Sequence, residues 1–116
     1  MGGMHAQIYQ GLADAEIVAV VDTNAAESEE KLKKLGLVAG LHATLAEALV
    51  SVEADFVDVC LPTYLHAEAV LEAIAAGKHV FCEKPLAMSV DEGARMVGEA
   101  EEGGLTFMAG HCIRFW

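Results

Sequence analysis

Apolar runs of strand length alternate with amphipathic segments along the whole chain. Strands are predicted at residues 16–22, 37–39, 56–61, 79–82 and 105–109, and helices at 4–12, 24–35, from 44 onward, 64–76 and 89–102. Repeated βα units of this kind imply an α/β fold, a doubly wound parallel sheet with helices on both faces. Ile17, Val18, Val20, Val21, Val57, Val59, Val80 and Phe81 carry the β-branched and aromatic bias of strands buried on both faces. The helix starts are marked by a short polar side chain three residues before a glutamate: Asn24 with Glu27, Thr44 with Glu47, and Ser89 with Glu92. Gly77 and Gly103 stand where two of the helices should end.

Within the helix after Asn24, Glu27/Lys31, Glu29/Lys33 and Glu30/Lys34 are spaced four apart with the acid first, the favourable orientation for a solvated helix face. The 116 residues and 54% hydrophobic content suit one globular domain, residues 1–116, with a substantial core. Seven Lys+Arg against eighteen Asp+Glu give a net charge of −11 with no basic stripe. That balance argues against DNA, RNA or an anionic membrane as partner. The apolar run at 17–21 is far short of the roughly 20 residues that span a bilayer. The N-terminus shows neither a signal-peptide pattern nor a myristoylation motif, so a cytoplasmic location is expected. Cys60, Cys82 and Cys112 have no C-x-x-C spacing and read as reduced, buried thiols, and no metal is implied.

Candidate chemistry gathers at strand ends, where side chains leave the core of a parallel sheet and face the ligand crevice. Glu83-Lys84-Pro85 follows the strand at 79–82, and Pro62-Thr63 follows the strand at 56–61. Thr63 is placed to cap a helix whose first turn holds His66. His66 reads equally as a packed residue or as a ligand contact. Asp22 ends the first strand twenty positions after Gly2, matching the usual offset of about 20 between a glycine-rich phosphate loop and a ribose-binding carboxylate. Alone, Asp22 would be a strand-end cap and Gly2-Gly3 a loose terminus. His5, His42, His79 and His111 have no ligand spacing and read as structural.

Taken together, Gly2-Gly3-Met4-His5-Ala6, Val21-Asp22, Pro62-Thr63-Tyr64-Leu65-His66, Glu83-Lys84-Pro85 and Gly110-His111-Cys112-Ile113-Arg114-Phe115 resemble the N-terminal cofactor domain of the glucose-fructose oxidoreductase / inositol dehydrogenase (Gfo/Idh/MocA) family. The resemblance implies a Rossmann-like domain of an NAD(P)-dependent enzyme that moves hydride to or from a hydroxyl-bearing carbon of a sugar or cyclic polyol. It makes Lys84 the catalytic lysine, with burial lowering its pKa. Gly2, Gly3, Asp22, Leu61, Pro62, Thr63, His66, Glu83 and Lys84 become cofactor-binding residues, and a cis Lys84-Pro85 bond is in keeping with the family. Asp22, followed by Thr23 and Asn24 with no arginine beside it, favours NAD over NADP, since a carboxylate repels a 2′-phosphate. Arg114 is either a nicotinamide or substrate contact or part of a frayed tail.

Against the family pattern, the first strand with its glycines and the substrate-binding second domain are absent. The chain alone is therefore expected not to turn over. Two strands, those ending at Asp22 and Leu61, would each lack a central neighbour, and unpaired buried backbone groups cost about 1 to 3 kcal/mol each. A marginal fold, dimerisation or a shift of strands is the expected response. A dinucleotide-binding or regulatory module without catalysis is the alternative, and a split enzyme completed by a partner chain is a third reading.

Overall fold

The structure, a computed structural model, describes residues 1–115 and divides into two compact units, 1–54 and 55–116. In the first unit, helix α1 (Gly2–Gln10) precedes strand β1 (Ala19–Val21), followed by α2 (Ala25–Leu35), β2 (Gly40–His42) and α3 (Leu45–Ser51). Strands β1 and β2 pair in parallel with Val20 opposite Leu41. Helix α3 packs against both strands and α2 against β2.

In the second unit, β3 (Phe56–Val59) leads through a short 3-10 turn (Thr63–Leu65) into α4 (His66–Ala75). Strand β4 (His79–Cys82), α5 (Val90–Glu102), β5 (Phe107–Ala109) and a final 3-10 turn (Cys112–Phe115) follow. The three strands form a parallel sheet in the order β3-β4-β5. Helix α4 packs on β3 and β4 and meets α5, burying Val70, Ala73 and Ile74 with Met96, Ala100, Val59, Val80 and Cys82. Both sheets are parallel α/β, as expected, and β1 and β3 each pair with one strand among the described residues.

The capping pattern holds at three helix starts, with one full box. Thr44 accepts the Glu47 N–H while the Glu47 carboxylate accepts the Thr44 N–H. Asn24 and Ser89 likewise accept from Glu27 and Glu92. Two strand predictions are corrected by the way helices end. At the end of α2, Gly36 adopts φ 65°, its N–H donates to Lys33 O, and the Leu37 N–H donates to Leu32 O at 3.0 Å. That is a Schellman cap. Leu37 closes the helix, so the strand expected at 37–39 begins at Gly40 instead. The same device at Gly104 (φ 64°) commits the Leu105 N–H to Ala100 O at 2.8 Å, which delays β5 from 105 to Phe107. Helix α5 ends at Glu102 with Gly103 as its C-cap, as expected, and the left-handed residue that follows is Gly104. Strands 16–22 and 56–61 shorten to β1 and β3 because their partners run out at His42 and Cys82. Among the described residues no helix is long and apolar enough to cross a membrane.

Candidate functional site

In the first unit, Asp22 follows β1 and continues its ladder, its N–H donating to His42 O at 3.0 Å. Its carboxylate is held at both oxygens. Ser28 Oγ donates to Oδ2 at 2.6 Å, and the Asn24 N–H donates to Oδ1 at 2.8 Å. These bonds, with the Ser28 hydroxyl foremost and Lys31 a weaker contributor, lower the Asp22 pKa from its ordinary 3.8 against a small opposing effect of burial. Asp22 is thus an oriented, ionised acceptor with lone pairs to spare. Gly2 and Gly3 lie inside the first turn of α1 rather than ahead of it, so the helix begins two residues earlier than expected. Both are exposed, and a Cβ built on Gly3 would meet nothing within 4 Å. Their value at that terminus would lie in accessible N–H groups.

In the second unit, three segments leave the same end of the sheet. Leu61 and Pro62 are exposed beyond β3. Thr63 is half-buried but makes no side-chain cap, which corrects the expectation. Leu65 N–H donates to Pro62 O in a 3-10 turn, and α4 starts only at His66, with Leu65 at its N-cap. His66 is 1% exposed. Its Nε2 lies 2.7 Å from Leu61 O and its Nδ1 lies 3.3 Å from Leu86 O, so both ring nitrogens face backbone carbonyls.

Beyond β4, the Glu83 N–H adds a last rung to Val59 O at 3.0 Å, and Glu83 Oε2 accepts the Lys84 N–H at 2.9 Å. The Lys84-Pro85 bond is cis. Lys84 itself is exposed, so the desolvation expected for it is not supplied by the described residues. It lines, with Pro85, Gly110, His111, Cys112 and Ile113, a small cleft of about 180 Å³. Gly110 lies close against Glu83. Its N–H donates to Cys82 O at 2.8 Å, and a Cβ there would stand 3.3 Å from Glu83 Oε1 and 3.4 Å from Glu83 Cα. Gly110 heads the segment Gly110–Phe115, in which spacing alone assigns it no role. A glycine directly after a strand end was the available signal, pointing to close backbone approach.

The remaining groups sort by environment. Burial, followed by the neighbouring carboxylates, pushes the Cys60 and Cys82 thiols up to about 12, so neither offers a ready thiolate. Cys112 is exposed, against the expectation of burial. His79 is structural, its Nδ1 accepting the Thr106 N–H at 2.9 Å. Arg114 is exposed in the final turn.

The family model described as the oxidoreductase family, NAD-binding Rossmann fold (Gfo/Idh/MocA) matches residues 1–111. The chain belongs to this family. It is 39% identical over 103 residues to a 2,7-anhydro-N-acetylneuraminate hydratase of Escherichia coli, covering 89% of the chain and 27% of that protein. It is 32% identical over 115 residues to a myo-inositol 2-dehydrogenase of Thermotoga maritima, covering 99% and 34%. Among solved structures, GenD2 from gentamicin A biosynthesis, crystallised in complex with NAD, superposes with a TM-score of 0.88 at 31% identity over 95% of the chain and 31% of that protein. The chain therefore spans roughly a quarter to a third of the length of these relatives.

As a Gfo/Idh/MocA member the chain is an NAD-binding Rossmann domain of an oxidoreductase family. Its residues fit the cofactor on their own chemistry. Asp22 presents a fixed carboxylate of the kind that accepts ribose hydroxyls. The segments after β3 and β4 place the exposed residues Leu61, Pro62 and Lys84 at the carboxyl edge of a parallel sheet, where such folds bind ligands.

Proposed function

We propose that residues 1–116 form one cofactor domain of an NAD-dependent oxidoreductase that transfers hydride to or from a hydroxyl-bearing carbon of a sugar or cyclic polyol, with Lys84 as its catalytic residue. The observation that carries this reading is the placement of Lys84, exposed at the end of β4 and lining a cleft with the segment that leaves β5. Bound NAD would supply the hydride acceptor. Lys84 would hydrogen-bond the reacting oxygen and stabilise charge on it as carbinol and carbonyl interconvert. Asp22 would hold the adenosine ribose, and Gly2 and Gly3 would offer N–H groups to phosphate. Leu61, Pro62 and Thr63 would line the nicotinamide side, and Glu83 would orient the turn through the Lys84 N–H. Relatives named for a hydratase of an anhydrosugar acid and for an inositol dehydrogenase support a polyhydroxylated substrate.

The chain spans about a third of such relatives, and by itself it is expected to bind NAD without turnover. Calorimetric titration of NAD and NADP into the 116-residue chain tests the cofactor part. NAD binding that weakens in Asp22→Ala and exceeds NADP binding is expected, and absence of binding by either nucleotide would remove the reading. For catalysis, Lys84→Ala in a protein that oxidises polyols should retain NAD binding while turnover falls about 10²- to 10⁴-fold. Unchanged turnover would exclude Lys84 from the chemistry.

A further inference from the structure

We infer that Ser28 is a positioning residue for the cofactor, fixing the Asp22 carboxylate so that it meets the adenosine ribose of NAD and turns away the 2′-phosphate of NADP. The inference rests on the ribose-binding reading of Asp22 above. Ser28 is 4% exposed and is the residue that α2 buries. Its Oγ donates to Asp22 Oδ2 at 2.6 Å, the short distance of a hydroxyl bonded to a charged acceptor. A serine hydroxyl has one hydrogen, and this bond uses it.

Helical propensity does not explain a serine here. Ser28 is the fourth residue of α2, where alanine is the better helix former and buries no polar group. One outlet for a serine inside a helix is the carbonyl four residues earlier, which for Ser28 is Asn24 O. That carbonyl already accepts the Ser28 N–H at 3.1 Å. The hydroxyl instead reaches past the start of the helix to the residue that follows β1.

Asp22 is held from its other sides as well. Its N–H continues the ladder to His42 O at 3.0 Å, and the Asn24 N–H holds Oδ1 at 2.8 Å. Asn24 lies in the same short turn as Asp22, so it moves with the carboxylate. Ser28 is the donor from the body of α2, a helix packed on β2. Each carboxylate oxygen keeps accepting capacity beyond these bonds. A ribose with both hydroxyls free can donate to it, whereas a 2′-phosphate brings negative charge against a carboxylate that cannot rotate aside.

The test titrates NAD and NADP calorimetrically into the 116-residue chain as wild type, Ser28→Ala, Asp22→Ala and the double variant. Ser28→Ala should weaken NAD about three- to tenfold. It should weaken NADP less, since a freed carboxylate can swing away from the 2′-phosphate. In the Asp22→Ala background the same substitution should leave NAD affinity unchanged, because its effect passes through the carboxylate. Equal weakening of both nucleotides, or a loss that persists without Asp22, would mark Ser28 as a helix residue only and overturn the inference. The Asp22 carboxyl carbon, followed by ¹³C NMR across a pH series, reads the contact without nucleotide. Loss of the Ser28 donor should raise its midpoint toward the ordinary 3.8, with the Asn24 N–H and Lys31 of the same helix still acting on it. An unmoved midpoint would equally overturn the inference. Were Ser28→Ala not to fold, the wild-type midpoint decides, and a value at or above 3.8 excludes the bond. NAD affinity equal in Asp22→Ala and wild type would remove the ribose reading, and the inference with it, even with the carboxyl contact intact. The other adverse results remove the inference alone.

Discussion

Residues 1–54 and 55–116 are built from the same βα grammar but hold together by different means. Of the buried apolar side chains, Ala48 lies in the first unit, whereas Val59, Val70, Ala73, Ile74, Val80, Cys82, Met96 and Ala100 lie in the second. The first unit has a two-stranded sheet, an α1 with no buried residue, and an α2 that buries Ser28 alone and carries the exposed ion pairs Glu27–Lys31, Glu29–Lys33 and Glu30–Lys34 along its surface. Exposed pairs contribute little against solvent screening and side-chain entropy. A third strand and the packing of α4 against α5 make the difference in the second unit, where a buried residue can be surrounded on several sides. Sheets of three or more strands with a covered face are the smallest that stand alone.

The sharpest way to break this contrast is to truncate one side chain in each unit. Met96→Ala, at a fully buried position, should cost about 2 to 5 kcal/mol. Ile8→Ala in α1, at 57% exposure, should change stability by no more than about 0.5 kcal/mol. Denaturant unfolding followed by far-UV circular dichroism measures both, and equal effects would contradict the division.

Two glycines of the second unit sharpen it at intermediate size. Gly110→Ala forces a Cβ to 3.3 Å from Glu83 Oε1 and 3.4 Å from its backbone, and should destabilise by about 1 to 3 kcal/mol. Gly98→Ala meets nothing within 4 Å inside α5 and should stabilise by up to about 1 kcal/mol. A pair of midpoints moving in the same direction would show that crowding at Gly110 is not what selects glycine there.

The smallest effect belongs to the first unit and depends on pH. The folded carboxyl of Asp22 has a pKa below 3.8, so its contribution to stability is present above that value and is lost as pH falls through the lower folded value. Asp22→Asn should therefore be slightly less stable than wild type near neutrality, and the gap should close on acidification. A gap that widened as pH fell would reverse the sign assigned to the Ser28 and Asn24 bonds.

Much of this molecule is legible in its residues. Val80 and Phe81 announced β4 at its observed bounds, and Asn24, Thr44 and Ser89 marked three helix starts through short-range bonds. Glu83-Lys84-Pro85 and Asp22 were found as strand-end chemistry for the same reason, since a strand end and the residue after it are adjacent in sequence. Among the expectations that failed were the starts of β2 and β5 and the cap at Thr63. In the first two, a glycine one residue ahead carried the helix cap one residue into the expected strand. At Thr63 a 3-10 turn took the place of a capped helix start.

What the sequence determined by itself is therefore what local hydrogen bonds and periodicity decide: the order of elements, their class, and the identity of the residues at the strand ends. Tertiary structure alone decided that Lys84 is exposed beside Gly110, that a Cβ at Gly110 would crowd Glu83, and that His66 lies between the carbonyls of Leu61 and Leu86. Apart from the contact of His66 with Leu61, these relations join residues 20 or more positions apart through the register of neighbouring strands and the packing of α4 upon them. Spacing along a single chain does not encode that register, because it is set by which strands pair and by the volume of the side chains between helix and sheet.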